Sequence, residues 1–216
     1  MRAAAIRSIV AGALFSAFPA PCAAQADAAV PRPEVKIGDS WTYRRIDLQT
    51  NKPTGFSLLR VTFANERAIQ TTNHSGRKEQ VDATWTAEWN AVSSAGDSIF
   101  EPHSGLLKFP LQAGATYKVV YDMKRPQKGA FQVKHDRTAR VVGWEEVEVS
   151  AGKFRALKIE IEGTYQRVDK SISGTAKTVI WYVPEVKRWV KWASENKASR
   201  GLLNGFVLEL VEYKVQ

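Results

Sequence analysis

Between residues 81 and 89 the chain alternates strictly. Val81, Ala83, Trp85, Ala87 and Trp89 are apolar, and Asp82, Thr84, Thr86 and Glu88 between them are polar. Successive side chains of a strand point to opposite faces, so a period of two makes one face apolar and the other wet. That is the pattern of a half-buried antiparallel strand. It places Trp85 and Trp89 on one side.

Related runs recur along the chain. Residues 41–48, 56–63 and 67–72 are rich in aromatic and β-branched side chains, and Tyr117, Val119, Tyr121 and Met123 repeat the alternation. Turn clusters separate the runs: Asn51-Lys52-Pro53-Thr54-Gly55, His74-Ser75-Gly76 and Arg125-Pro126-Gln127-Lys128-Gly129. A polar loop covers 93–97, Pro102, Gly105, Pro110 and Gly114 interrupt the next stretch, and a long, more polar strand ends near Val142. A hairpin is expected about Ala151-Gly152, with Val147 and Val149 before it and Leu157, Ile159, Ile161 and Tyr165 after it. Residues 178–183, stopped by Pro184, and a closing run at 206–215 complete about ten strands. Val186, Trp189, Val190 and Ala193 have helical spacing, so a short helix competes with a strand at 186–196.

Strands joined in sequence by short turns predict an all-β antiparallel up-and-down meander. A sheet of that size must curl or close to avoid long exposed edges, so a curved sheet or barrel is expected, with a two-layer sandwich as the alternative. The 216 residues divide into a signal segment (1–26), an extended, Pro-rich lead-in (27–37) and a single β domain (38–216).

The start of the chain sets the compartment. Arg2 and Arg7 lie in and before an almost wholly small and apolar stretch that runs to Phe18, followed by Pro19, Pro21 and the small-x-small triplet Ala24-Gln25-Ala26. These are the parts of a cleavable secretory signal peptide, with cleavage predicted after Ala26 and a periplasmic mature protein that has no membrane span. Lipidation at Cys22 is a minor alternative, because Pro21 directly before it constrains the backbone at the scissile bond. Cys22 is the only cysteine, so cleavage after Ala26 leaves no thiol for disulfides, catalysis or thiolate metal sites. The formal charge of +9 loses Arg2 and Arg7 but no acid, so the mature chain stays basic. Outside the cytoplasm that favours anionic envelope components over nucleic acid, or serves solubility alone.

No catalytic constellation stands out. The three histidines, His74, His103 and His135, lie in separate segments without ligand spacing. His103, Ser104 and Asp97 could form a Ser-His-Asp site only by loop geometry, and no nucleophile elbow supports it. Glu160 and Glu162 alternate with Ile159 and Ile161, which reads as a solvated outer face, and Glu145-Glu146 carries no stronger signal. No metal site and no cofactor motif is found. The aromatic content is more telling, with seven tryptophans. Trp85, Trp89 and Trp181 are candidates to line a ligand cavity, although filling a core is the default for such rings. Lys187, Arg188, Trp189, Lys191 and Trp192 interleave basic and aromatic side chains and form a candidate interaction edge for a headgroup, a sugar or a partner protein.

Three patches carry a resemblance: Gly38-Asp39-Ser40-Trp41-Thr42-Tyr43; Val142-Gly143-Trp144-Glu145-Glu146-Val147 running into 151–159; and Trp181-Tyr182-Val183-Pro184-Glu185-Val186. Together they resemble exported bacterial β-rich proteins that carry a domain of unknown function. The resemblance implies a β-hairpin in the middle patch and a strand leading to a junction that usually reads Gly-Arg. Here that junction is Lys187-Arg188. It implies no activity. The expectation for function is a non-enzymatic periplasmic protein that binds a lipid or other amphipathic envelope component. The alternatives are an envelope-polymer hydrolase or lyase using His103 or Glu101, and a structural accessory protein of an envelope complex.

Overall fold

The computed structural model describes residues 28–74, 81–94, 97–129, 131–170, 172–198 and 201–216. The expected signal segment, Cys22, the cleavage site and the Ser75-Gly76 turn lie outside the described residues. The strands are β1 (Ser40–Asp47), β2 (Lys52–Ala64), β3 (Ala68–His74), β4 (Val81–Thr86), β5 (Ala91–Ser94), β6 (Ser98–Glu101), β7 (Thr116–Lys124), β8 (Gln132–Val149), β9 (Gly152–Arg167), β10 (Ile172–Val183), β11 (Arg188–Ala198) and β12 (Gly201–Lys214). Each pairs antiparallel with its neighbour in sequence, and β1 pairs with β12 from Ser40↔Lys214 to Asp47↔Phe206, closing a twelve-stranded barrel. Closure leaves no free sheet edge, which is the physical reason the barrel is preferred over the open sandwich.

The strand count exceeds the expected ten: the short pair β5 and β6 forms on either side of the expected polar loop, so that loop is narrower than 93–97, and the stretch from Pro102 to Gly114 holds none of the named strands. Two local expectations change. The alternating run does not continue to Trp89: β4 stops at Thr86, whose hydroxyl accepts the Glu88 and Asn90 N–H groups while Trp89 turns into the left-handed region at φ 62°. At 186–196 the strand wins over the helix. Pro184–Val186 makes one 3₁₀ turn and β11 begins at Arg188, where pairing on both sides outweighs a weak helical spacing.

The two ends of the barrel differ. At one end the lead-in, the segment 102–115 and the 3₁₀ turn cover the interior. Val30 and Leu111 exchange both backbone hydrogen bonds at 2.7 and 2.8 Å, and Leu107, Leu111 and Val186 are fully buried. Hairpin turns alone stand at the other end, among the described residues. Ile159, Ile161 and Ile180 are fully buried inward-facing residues of the wall between the two, and Glu160 and Glu162 lie outside with Lys158 and Lys177 as partners.

The lead-in and the C-terminal residue meet at Asp39, which is 0 % exposed. Its carboxylate accepts the Lys36 and Gln216 N–H groups at 2.9 Å each and pairs with Lys187 Nζ at 3.2 Å. Lys187 Nζ also donates to the Gln216 carbonyl at 2.6 Å. Lys187 itself is in the left-handed region (φ 60°, ψ 12°), which explains why a glycine is the expected residue there. The strain of about 1–2 kcal/mol is offset by the ion pair with a buried carboxylate. Lys187→Gly should therefore destabilise by about 1–3 kcal/mol, seen as a lower urea midpoint by tryptophan fluorescence. Adding Asp39→Asn should recover part of the loss; a Lys187→Gly protein as stable as the parent would show that strain outweighs the pair.

Candidate functional site

The closed end is a tryptophan cluster built around one cation. Trp41 and Trp89 meet edge to face at 5.4 Å, Trp85 and Trp89 at 5.8 Å, and Trp85 and Trp189 at 6.2 Å. The Arg188 guanidinium, in a residue 2 % exposed, lies 3.8 Å from the Trp189 ring centroid, 3.9 Å from Trp89 and 4.8 Å from Trp85. No ion pair joins it to a carboxylate among the described residues. Burial pushes its pKa down to about 10, with Tyr43 beside it acting in the opposite sense, so it remains a cation at neutral pH. The rings are fixed by their own donors: Trp41 Nε1 to the Val186 carbonyl, Trp89 Nε1 to Lys187, Trp85 Nε1 to Thr71 Oγ1, each 2.9 Å. Trp85 and Trp89 do come together, and Arg188 with Trp41 fills the space between them. This end is a floor.

The sequence-derived candidates otherwise divide. Trp181 stands on the outer face, donating to Glu145 with Lys158 and Lys191 over its ring. The interleaved segment does not form one exposed edge, because β11 is paired on both sides. Arg188 and Trp189 are buried, Trp192 faces inward against Trp189 at 4.8 Å, and Lys191 faces out to Glu209 at 3.2 Å. His103 Nδ1 accepts the Gly105 N–H in its own turn, Ser104 Oγ accepts the Ala91 N–H, and Glu101 pairs with Lys124. Each of those three is engaged locally rather than with the others.

Above the floor the inward positions change character. Tyr182, Ile180 and Leu210 are fully buried, and Thr178, Ala176, Arg137 and Tyr165 farther along β8, β9 and β10 are buried too, but Trp192, Ser194, Asn196, Phe206 and Leu208, which face the same interior from β11 and β12, are only part-buried. A residue that faces inward and still meets water is not enclosed by its described neighbours. Arg45 sits at this mouth with its guanidinium 3.8 Å from the Phe206 ring centroid.

Three strands along the wall from β11, β8 carries a polar cluster that sequence reasoning missed. Val133, His135, Arg137, Ala139 and Val141 alternate inward, so His135 and Arg137 occupy core-facing positions. Arg137 is 4 % exposed, donates to Thr178 Oγ1 at 3.1 Å and Tyr121 OH at 2.8 Å, and has no carboxylate partner among the described residues. Its Nε, the Tyr165 hydroxyl and His135 Nδ1 are buried without a hydrogen-bond partner. His135 stacks on Tyr121 at 4.6 Å. Two glycines shape the cluster: a Cβ on Gly163, opposite Arg137, would lie 3.0 Å from Arg137 Cγ, and one on Gly174, opposite Tyr165, would lie 2.8 Å from the Tyr165 hydroxyl. The alternation with Val133, Ala139 and Val141 was the available signal, hidden by the polar outer residues between them.

No protein-family model and no curated protein sequence matches the chain. Solved structures do. A candidate lipoprotein from Parabacteroides distasonis is similar with a TM-score of 0.54 at 11% identity, over 87% of this chain and all of that one (100%). A candidate exported protein with a YmcC-like fold from Bacteroides fragilis is similar with a TM-score of 0.54 at 17% identity, over the same shares, 87% and 100%. At these identities the likeness is one of fold, and the chain is an all-β barrel of that kind.

Two outcomes follow from the buried cations and the imidazole. Burial, reinforced by the Arg137 charge, holds the His135 pKa down at about 3 against an ordinary value of 6.5. The unfolded chain therefore takes up this proton first, and stability present above pH 6.5 is lost as pH falls toward 3. Urea midpoints should fall more steeply between pH 7 and 4.5 for the parent than for His135→Phe, by about 1–2 kcal/mol; parallel slopes would place the imidazole in water. At the floor, each desolvated cation–π contact contributes up to about 2 kcal/mol against a desolvation cost of several kcal/mol. Arg188→Met should then stay within about 1 kcal/mol of the parent while Arg188→Ala loses about 3 kcal/mol to the cavity, both read by thermal unfolding. Equal losses would show that the charge, not the volume, holds the tryptophans.

Proposed function

We propose that this chain is an exported, non-catalytic protein of the cell envelope that binds an amphipathic molecule in the open half of its barrel. The observation that carries the reading is the change in burial around the interior. Ile180 on β10 is fully buried, whereas Trp192 and Leu208, level with it on β11 and β12, and Phe206 beyond them are part-buried. Apolar side chains left accessible inside a closed wall are stabilised by an apolar ligand, at about 25 cal/mol for each Å² covered. Ser194, Asn196 and Asn204 beside them offer polar contacts nearer the mouth, where Asn196 and Asn204 are hydrogen-bonded to each other at 2.8 Å. The ligand therefore has two characters.

Export is supported by the charged, apolar and small-residue succession of residues 1–26, and by the descriptions of the two structural neighbours as a candidate lipoprotein and a candidate exported protein. An envelope location supplies amphiphiles in quantity, and the basic surface favours contact with anionic ones.

Protein isolated from envelope fractions should begin at Asp27 by N-terminal sequencing and carry an amphiphile by native mass spectrometry. Ser194→Trp, which fills the lumen without touching the floor, should reduce the bound fraction. A ligand-free spectrum for both proteins would overturn the reading.

A further inference from the structure

We infer that the Arg137 cluster is an oxyanion site, and that it takes the carboxylate or phosphate head group of the lumen's ligand; this rests on the lumen reading above. A buried guanidinium ordinarily stands beside a carboxylate, because an unpaired buried charge costs several kcal/mol. Arg137 has only two neutral oxygens, Thr178 Oγ1 and Tyr121 OH, and its Nε–H points at no acceptor.

The atoms left over are complementary to one kind of guest. Arg137 Nε–H is a donor, the Tyr165 hydroxyl can donate, and His135 Nδ1 can donate in the appropriate tautomer. An oxygen-rich anion accepts from all of them, whereas a cation would meet Arg137 head on. The cluster is also built in place. The glycines opposite Arg137 and Tyr165 let the strands approach closely, since a Cβ there would first meet the Asp136 and Lys197 carbonyls, and they also leave room for the two side chains: a Cβ at Gly174 would stand 2.9 Å from the Tyr165 ring. Access comes from the lumen side, since His135 faces inward and is only part-buried, with part-buried Phe100, Met123 and Phe131 near it as apolar neighbours.

Calorimetric titration of the mature protein with dodecanoate, dodecyl phosphate, dodecanol and inorganic phosphate tests the assignment. Both anionic amphiphiles should bind at least about tenfold tighter than dodecanol, the worth of one charge-assisted hydrogen bond. Arg137→Met should bring the ratio close to unity, and Tyr165→Phe, which removes only the hydroxyl, should lower it about threefold or more, the loss falling on the anions more than on dodecanol in each. Where Arg137→Met fails to fold by circular dichroism, Tyr165→Phe decides. Dodecanol binding as tightly as the anions, or a ratio unmoved by the variants, overturns the anion site and leaves the lumen reading standing. Inorganic phosphate binding as tightly as dodecyl phosphate overturns the head-group assignment in favour of a free anion. If no amphiphile binds, the lumen reading falls and the anion site with it.

Discussion

The carboxylate of Asp39 lies where the first strand, the last residue and the β10–β11 turn converge, and the closure of the barrel depends on it. A twelve-stranded sheet joined between sequence neighbours has no intrinsic reason to stop at a cylinder; the β1–β12 ladder must form between residues far apart in the chain, from Asp47 and Phe206 to Ser40 and Lys214. Closing so long a loop is entropically costly. Asp39 offsets that cost with charge-assisted bonds to the segment before β1 and to the last residue, and Lys187 completes the junction from the third direction. The left-handed backbone at Lys187 is tolerated for the sake of that contact.

Closure then dictates the interior. A barrel this wide encloses more volume than wall side chains alone can fill, so the space must be capped, plugged or left open. One end is both capped and plugged: the lead-in and residues 102–115 cover it, and the tryptophans around Arg188 occupy it. Arg188 serves as a cation inside the cage that aromatic rings more often build for a ligand. The cage is already occupied by the chain's own side chain, and the ligand space proposed above lies toward the other end.

How much of this was legible follows from what is local. Strand positions were, because period-two alternation and turn clusters act over a few residues; the hairpin at Gly152 and the outer placement of Glu160 and Glu162 followed from the same rule. Facing across long distances was not. Trp85 and Trp89 do meet, but through the Thr86 turn and a left-handed Trp89 rather than one continuous strand. The segment around Trp189 looked like one basic, aromatic edge, yet a register shift between Trp181 and Tyr182 and pairing on both sides send its members to opposite faces. Arg137 and His135 were concealed by composition: with Lys134, Asp136 and Thr138 between them, a strand with one apolar and one wet face reads as polar throughout.

The placement of the two buried cations bears on what the lumen can hold. From Trp192 to Ala198 the wall of β11 runs roughly 20 Å along the strand, and tilt in a barrel shortens that to about 15 Å of depth. Arg188 lies below this space and is enclosed by rings, so it is shielded from any guest; Arg137 lies beside it with its Nε unpartnered. An anion drawn to Arg137 therefore sits in the wall of the lumen and not at its bottom. Its apolar portion can lie against Trp192, Leu208 and Phe206, and any length beyond the depth of the lumen must emerge at the open end. On the reading proposed above, the floor would limit how much of a guest is enclosed, and the guanidinium in the wall would select which part of it is.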